Sequence, residues 1–237
     1  MKKILSIIAV LCLILGSATV FAEERGYINA NASTEKEILP DVVDISISVV
    51  TYDTKSMQTA TKNNKDLSDK LYSTLKSMIN PANGDYVKTS DYRAQPLYTY
   101  TNNKRNFDKY EVSNKVLVHT KSINNVGSMI DKAIELGATN IDNLKFSVSS
   151  YDNICDEMLI KSAQKTKLRA ENFAKATGTV ITGVKLIDGS CSSANNSGRV
   201  MYTMNAKSAM MDSASATPIE TGVVKIYANV NASYFVK

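Results

Sequence analysis

Few side chains in this sequence could do chemistry, and the first group is a cluster of methionines. It consists of Met201, Met204, Met210 and Met211. Thioethers are soft ligands that can hold Cu(I), and an exposed thioether can also be oxidised sacrificially. The cluster fits a metal-binding or redox-buffering module. It also fits a flexible, apolar-rich loop that docks on the protein body or on a neighbouring subunit, and we favour this second interpretation.

Cys155 and Cys191 form the second candidate group, since Cys12 lies in an N-terminal segment that we expect to be removed. Neither cysteine has the Cys-x-x-Cys spacing of a redox motif. A disulfide between them would close a loop of roughly 37 residues and contribute roughly 3–4 kcal/mol in the chain-entropy model. Cys155 also falls on the apolar stripe of a predicted helix, where a buried, inert thiol is common. Both alternatives stay open.

The single histidine, His119, lies near the end of an alternating strand. A catalytic base needs a nucleophile and an orienting group, and no local motif supplies either. The sequence contains no Gly-x-Ser-x-Gly elbow, Walker loop, Gly-x-Gly-x-x-Gly or His-Glu-x-x-His motif. We therefore expect no catalytic residue, no cofactor and no enzymatic activity.

Residues 1–22 have the three parts of an export signal. Lys2 and Lys3 form a basic start, an apolar run to about residue 16 follows, and Val20 and Ala22 suit the positions before a cleavage site. The apolar run is too short to serve readily as an anchor across about 30 Å of hydrocarbon. We expect cleavage near Ala22, a mature chain without a transmembrane segment, and residence in the periplasm or elsewhere in the cell envelope.

Composition limits the class of protein. The 237 residues are 43% apolar and 22% charged, which allows a real core and excludes collagen-like or disordered structure. Without residues 1–22, the chain has 26 basic and 23 acidic residues, a net charge of +3. This charge is too small and too diffuse to indicate a nucleic-acid-binding surface.

Hydrophobic periodicity predicts three helices, at about 54–78, 122–136 and 152–177. Strands are predicted at about 26–38, 42–50, 85–98, 109–120, 141–148, 180–188 and 219–236. The residues predicted to face inward in the second helix are Val126, Ile130, Ala133 and Ile134. The stripe predicted for the third helix is Cys155, Leu159, Ala163, Thr166, Ala170, Phe173, Ala174 and Thr177.

The segment at about 189–217 is rich in Ser, Asn, Ala and Met and is predicted to be a long flexible loop. We expect residues 23–237 to form one α+β domain. The segments at 85–98 and 109–120 are predicted to form a hairpin with a polar loop over 101–106. The hairpin carries Tyr92, Tyr98, Tyr100 and Tyr110, which fit either a stacking or carbohydrate-contact surface or half-buried sheet residues; we favour the latter. Long β segments with unpaired edges tend to pair with neighbouring chains, which favours a homo-oligomer.

The order of several short motifs resembles the SIMPL-domain family of bacterial exported proteins. The matching early positions are Pro40-Asp41, Asn64, Tyr110, Ser113, Asn114, Val116 and Val118. Later matches are Ile130-Asp131-Lys132-Ala133, Gly137-Ala138, Ile141 and Phe146. The most specific matches are the run 167–178, Gly183-Val184, and the run 217–222 before the last strand. The residues at 29–32 and Lys109 depart from the family pattern, where glycines are typical.

This resemblance implies a SIMPL-like α+β fold with long helices packed on antiparallel β-sheet and extended β-hairpins. It also implies periplasmic or envelope residence, ring-like oligomers in some members, and an association with oxidative-stress tolerance. An envelope protein is a further expected partner. The family has no established catalytic residues to transfer to this chain.

Overall fold

The computed structural model describes residues 25–142, 144–195 and 217–237. The helices in these residues are α1 (Met57–Ser77), α2 (Val126–Glu135) and α3 (Tyr151–Thr177). The strands are β1 (Tyr27–Ile38), β2 (Val42–Asp53), β3 (Tyr86–Thr101), β4 (Lys104–Thr120), β5 (Asn140–Ile141), β6 (Lys145–Ser147), β7 (Ile181–Asn195) and β8 (Val224–Val236). The predicted α+β class is confirmed. The predicted export signal and the methionine cluster lie outside the described residues.

The strands form two antiparallel sheets in the described part of the chain. One sheet has the order β3-β4-β2-β5, with β6 also paired to β2. The other sheet has three strands in the order β1-β8-β7. In the larger sheet, β2 pairs with β4 from Val43 opposite Thr120 to Asp53 opposite Tyr110. The strand β2 therefore has strand neighbours at both of its edges in this sheet.

The larger sheet has an apolar face that α1 and α2 cover. The alternating residues Val43, Ile45, Ile47 and Val49 of β2 point to this face, because successive side chains of a strand point to opposite faces. From the helices, Leu71, Leu75, Val126, Met129 and Ala133 join the same buried cluster. Burial of each large aliphatic side chain contributes about 1.5–3 kcal/mol, so this cluster is the main source of stability around the sheet.

The inward face of α2 differs from the prediction at one position. Ile134 is exposed, and Met129 is fully buried instead. At about 100° per residue, Met129 lies on the same side of the helix as Val126 and Ala133, whereas Ile134 is rotated away from them. Gly137, with φ of 94°, follows the helix as the sequence predicted.

The described residues group into two compact units. The first consists of residues 25–32, 162–189 and 230–237. The second consists of residues 33–142, 144–161, 190–195 and 217–229. The single domain expected over residues 23–237 stays a prediction.

Small side chains pack α3 in the first unit. Ala170 is fully buried in a cluster with Ala30 of β1 and Ala232 of β8. The Thr166 hydroxyl donates to the Ser162 carbonyl at 2.8 Å and lies 3.4 Å from the Val230 carbonyl. Small residues allow a helix to approach a sheet closely, so the first unit needs little side-chain volume at this position.

In the second unit, the start of α3 packs through larger side chains. Ile154 and Met158 are buried with Val224, Ile226 and Ala228 of β8. The Thr34 hydroxyl of β1 donates to the Met158 carbonyl at 3.2 Å. This cluster is separate from the one beneath α1 and α2.

The stripe predicted for α3 is confirmed at Thr166, Ala170 and Ala174 and is wrong at its other positions. The buried residues of the helix are Ile154, Met158, Ser162, Thr166, Ala170 and Ala174. Phe173 and Thr177 are exposed, and Cys155, Leu159 and Ala163 are only partly buried. In the first half of the helix, the buried face runs through Ile154, Met158 and Ser162, one residue before each predicted position. Apolar residues stand at both sets of positions, so periodicity alone did not distinguish them.

The hairpin of β3 and β4 closes in a two-residue turn rather than in the predicted polar loop over 101–106. Asn102 and Asn103 have φ values of 52° and 58°. Asparagine adopts this left-handed region more readily than most residues, and two such residues in succession are typical of a tight hairpin turn. The hairpin is consequently longer than predicted, because both strands continue to the turn.

Other strand boundaries also differ from the predictions. The segment 141–148 forms two short strands, β5 and β6, rather than one. The strand predicted to end at 188 continues to Asn195, so the loop prediction is wrong for residues 189–195. Pairing within the sheet overrides the weak strand propensity of the Ser, Gly and Asn residues in this stretch. The last strand begins at Val224 rather than at 219. Before it, Thr217 is hydrogen-bonded to Asp131 of α2.

Candidate interaction site

The predicted metal-binding methionines, Met201, Met204, Met210 and Met211, lie outside the described residues. Within the described ranges, no group of three or more His, Cys, Asp or Glu side chains is placed to hold a metal ion. Metal binding by the methionine cluster therefore stays a prediction from the sequence.

The structure joins Cys155 of α3 to Cys191 of β7 by a disulfide, with the two Cα atoms 6.0 Å apart. Cys191 packs against the buried cluster that contains Ile154, Met158 and Ile226. The bond thus fastens the first turns of α3 to the strand β7 within the second unit. A position beside buried aliphatic side chains is typical of a structural disulfide.

His119 has a carboxylate partner that the local sequence does not reveal. Its Nδ1 lies 2.7 Å from Asp44 Oδ1, and its ring stacks on Tyr86 with centroids 4.7 Å apart. The sheet register explains this arrangement, because both Asp44 and Tyr86 lie directly opposite His119 on neighbouring strands. The carboxylate can orient the imidazole. In the described residues, however, no hydroxyl or thiol is hydrogen-bonded to His119, so the arrangement lacks the nucleophile that a catalytic triad requires.

The most exposed part of the β3–β4 hairpin extends beyond its neighbour β2. The last β2 residue in the sheet, Asp53, lies opposite Tyr110. From Leu97 opposite Lys109 to Thr101 opposite Lys104, β3 and β4 pair with each other alone in the described structure. We call residues 97–109 the distal ribbon. A two-stranded ribbon is at best marginally stable in water, so contacts on its faces matter.

One face of the distal ribbon is aromatic and carries a cation. We call this surface the ribbon face; it consists of Tyr98, Tyr100, Arg105 and Phe107 of the distal ribbon together with the adjoining Tyr110. The Phe107 ring contacts those of Tyr110 and Tyr98, with centroids 4.9 Å and 6.1 Å away. The Arg105 guanidinium lies 3.6 Å from the centroid of Tyr98. Stacked aromatic and guanidinium groups are enriched at protein interfaces.

The ribbon face continues the apolar face of the sheet. On β4, the buried residues Val118, Val116 and Val112 alternate along one face, and Tyr110 follows with the same spacing. A register irregularity between Leu97 and Tyr98 then brings Phe107 next to Tyr110. The helix α1 covers this face at Val112, whereas Tyr98 and Phe107 are exposed. The ribbon face is thus an uncovered extension of the core surface.

A buried asparagine fixes the base of the distal ribbon to α1. The Asn64 amide donates to the carbonyl oxygens of Val49 at 2.9 Å and Val112 at 3.0 Å. Its own carbonyl oxygen accepts from the Ser68 hydroxyl at 3.2 Å. One side chain of α1 therefore satisfies a carbonyl of β2 and a carbonyl of β4, which holds the helix at the point where the ribbon begins.

Two further contacts stiffen the same region. The Gln95 amide donates to the Glu111 carboxylate at 3.1 Å across β3 and β4. The Lys109 ammonium lies 4.4 Å from the centroid of Tyr52 on β2. Desolvation, followed by the charge and hydrogen bond of Glu111, raises the pKa of the Tyr52 hydroxyl, which stays protonated at neutral pH.

At its other end, the hairpin is anchored by Asp85. This buried carboxylate accepts from the Thr120 hydroxyl at 2.8 Å and from the backbone amides of Lys121 and Asn80 at 2.9 Å and 3.1 Å. Burial alone would raise the pKa of Asp85, but these hydrogen bonds outweigh it and lower the pKa below its usual value. The ionised side chain therefore ties the start of β3 to the end of β4.

Most of the hairpin tyrosines are more exposed than the half-buried sheet residues that we favoured from the sequence. Tyr92, Tyr98 and Tyr100 are exposed, whereas Tyr110 is partly buried. The sequence did not point to Arg105 or Phe107, because Arg105 fell within the expected polar loop over 101–106 and Phe107 before the strand predicted from 109. The recurrence of aromatic residues on both sides of Asn102-Asn103 is the signal that could have identified the ribbon face.

No helix in the described part of the chain combines the length and apolar character needed to cross a bilayer.

Comparison with known proteins places these observations in a family. The chain is similar to the 26 kDa periplasmic immunogenic protein of Brucella melitensis biotype 1, with 23% identity over 144 residues. It is equally similar to the protein of that name from Brucella abortus strain S19. The alignment covers 59% of this chain and 56% of the Brucella melitensis relative, so the chain spans little more than half the length of the curated relatives it matches. The family model SIMPL, described as a protein of unknown function (DUF541), matches residues 28–234. The chain belongs to the SIMPL family.

Proposed function

We propose that this protein is an exported, non-enzymatic component of the cell envelope that associates with copies of itself through the ribbon face. The single observation that carries the proposal is the distal ribbon, where exposed aromatic rings continue a core surface beyond the helix that covers it. Removing such rings from water is the main favourable term in association. The periplasmic names of the relatives support the proposed location.

The physiological role that we propose is support of envelope integrity or of oxidative-stress tolerance. An assembly held by backbone and aromatic contacts needs no catalytic group. This fits the isolated Asp44–His119 pair on the described surface. A strain that lacks the gene should be more sensitive to detergent or peroxide, and the wild-type gene should restore tolerance. Unchanged sensitivity to both treatments would remove this role.

The assembly itself is tested with a ribbon-face variant. Tyr98→Ser, Tyr100→Ser and Phe107→Ser together remove the apolar surface. They also remove ring contacts within the ribbon, so circular dichroism is used to verify that the variant stays folded. The matched control is Leu39→Ser, because Leu39 is 70% exposed and Tyr100 is 72% exposed. Light scattering should show a smaller assembly for the ribbon variant and a wild-type assembly for the control. Equal masses for all three proteins would contradict association through the ribbon face.

A further inference from the structure

In the first unit, two neighbouring strands alternate alanine with a polar residue. Residues 29–32 of β1 read Asn-Ala-Asn-Ala, and residues 231–233 of β8 read Asn-Ala-Ser. Ala30 and Ala232 are buried in a cluster with Ala170 of α3. Because successive side chains of a strand point to opposite faces, the polar residues of both strands point away from α3. They give that face of the sheet a row of carboxamide and hydroxyl groups.

One hydrogen bond shows how these polar side chains face each other. The Ser233 hydroxyl donates to the side-chain oxygen of Asn29 at 2.6 Å. Since β1 and β8 are antiparallel neighbours, Asn31 and Asn231 come opposite each other two residues further along. In the described part of the chain, no hydrogen bond engages the carboxamide of Asn31 or of Asn231. Both side chains therefore keep their donors and acceptors for a ligand.

These polar side chains lie in a groove that crosses three strands. On the described surface, the groove has a volume of about 460 Å³ and is open along one side. Its polar and apolar side chains are Asn29, Asn31, Asn231 and Ser233 from β1 and β8, and Leu186 and Asp188 from β7. Sites for small ligands typically measure about 300–1,000 Å³, and the open shape fits a ligand that lies along the sheet.

The charge of the lining limits the class of ligand. Among the described residues that line the groove, Asp188 alone is charged. The nearby cations have other contacts, because the Arg169 guanidinium donates to the Asn31 backbone carbonyl at 2.6 Å and the Lys185 ammonium lies 3.5 Å from the centroid of Tyr27. Anionic ligands are bound mainly by cationic side chains. An apolar ligand would leave the carboxamides unpaired. The groove therefore fits a neutral ligand rich in hydroxyl and amide groups.

We propose that this groove binds the glycan chain of peptidoglycan, whose sugars carry acetamido groups. A carboxamide donates and accepts hydrogen bonds at once, so Asn31 and Asn231 match the N–H and C=O of an acetamido group. The Asp188 carboxylate accepts from sugar hydroxyls. Leu186 is 62% exposed and offers an apolar contact to the acetyl methyl group. The inference goes beyond the proposed self-association, uses a different surface, and shares with it only the location in the cell envelope.

Calorimetric titration of residues 23–237 with a β-1,4-linked tetramer of N-acetylglucosamine tests the groove. The tetramer of glucose, which lacks acetamido groups, is the ligand control. We expect saturable binding of the acetylated tetramer and at least about ten-fold weaker binding of the other. Asn31→Ala combined with Asn231→Ala should weaken binding about ten-fold or more, whereas Asn63→Ala, at an exposed asparagine of α1, should bind as wild type does. Circular dichroism verifies folding.

A second variant tests the contact to the acetyl group. Leu186→Ser should reduce the preference for the acetylated tetramer, and Leu168→Ser, at a position of α3 that is 58% exposed, should keep it. Equal affinity for the two tetramers in wild type, or undiminished binding by the double asparagine variant, would overturn the proposal.

Two further measurements separate the glycan source and the surface. Purified peptidoglycan should sediment the wild-type protein, and the acetylated tetramer should compete; no sedimentation would exclude peptidoglycan as the source. The ribbon-face variant should bind the tetramer as wild type does. Loss of binding in that variant would place the glycan on the hairpin and contradict the groove. A wild type that self-associates but binds no glycan overturns this inference and leaves the proposed function standing.

Discussion

Gly127 lies directly against the backbone of Thr217. A Cβ atom added to Gly127 would fall 2.1 Å from the Thr217 carbonyl oxygen. On the same helix, Asp131 accepts hydrogen bonds from the backbone amide and the hydroxyl of Thr217. Two residues of α2, four positions apart, therefore hold the segment that precedes β8. Two residues later, Ile219 packs against the main core.

Gly127→Ala should displace this segment. Because the obstructing atom belongs to the backbone, we expect a loss of stability of about 1–3 kcal/mol. Urea denaturation measures the loss. The control is Gly26→Ala, where the added Cβ would meet Val236 at an ordinary distance of 3.5 Å. Equal stability of the Gly127 variant and wild type would show that Thr217 does not lie against α2.

Asn64→Ala should destabilise the base of the distal ribbon, because the carbonyl oxygens of Val49 and Val112 lose their donor. Leaving buried polar groups unpaired costs about 1–3 kcal/mol each. Thermal or urea unfolding provides the measurement. Asn63→Ala, at the exposed neighbouring position of α1, should change stability by less than about 0.5 kcal/mol. A similar small change for both variants would contradict the anchoring role of Asn64.

Asp85 should make stability depend on acid pH. Its folded pKa lies below the ordinary value of 3.8. The contribution of the carboxylate is therefore fully present at neutral pH and is lost as the pH falls through the folded pKa. At pH near 7, Asp85→Asn should lower stability by about 1–3 kcal/mol.

The difference between Asp85→Asn and wild type should shrink as the pH is lowered past the pKa of Asp85, which unfolding curves at a series of pH values will show. The control is Asp91→Asn on the exposed part of β3, which should follow wild type throughout. A difference that does not change with pH would mean that the ionised form of Asp85 is not the source of the stability.

Because a disulfide joins Cys155 and Cys191, the protein of residues 23–237 should contain no free thiol. Under denaturing conditions without reductant, thiol titration should find none free, and reduction should release two. Replacing both cysteines with alanine should lower stability by roughly 3–4 kcal/mol in the chain-entropy model. Ser192→Ala, beside Cys191 on an exposed part of β7, serves as the control. Two free thiols in the unreduced protein would contradict the bond.

The sequence predicted well the elements that short-range patterns define, such as alternation along a strand or a glycine at the end of a helix. The alternation of Val43, Ile45, Ile47 and Val49 identified β2, and Gly137 and Gly178, both with positive φ, mark the ends of their helices as expected. The elements that long-range pairing decides were predicted less well. The strand β7 continues past residue 188 because a neighbouring strand pairs with it. The Ser and Gly residues there have a low strand propensity, so the sequence did not predict this extension.

The candidate site shows the same limit. The register that places Asp44 and Tyr86 beside His119 joins residues far apart in the chain, so no spacing in the sequence reveals it. The ribbon face depends on the two-residue turn at Asn102-Asn103 and on the irregularity near Leu97. The sequence shows which tyrosines the hairpin carries, but their exposure depends on where α1 and β2 end.

Sedimentation velocity of residues 23–237 across a wide range of protein concentrations tests self-association most directly. We expect the wild-type protein to sediment as a species larger than one chain, and the variant with Tyr98→Ser, Tyr100→Ser and Phe107→Ser to shift toward smaller species. A folded wild-type protein that sediments as a single chain at every concentration would contradict self-association.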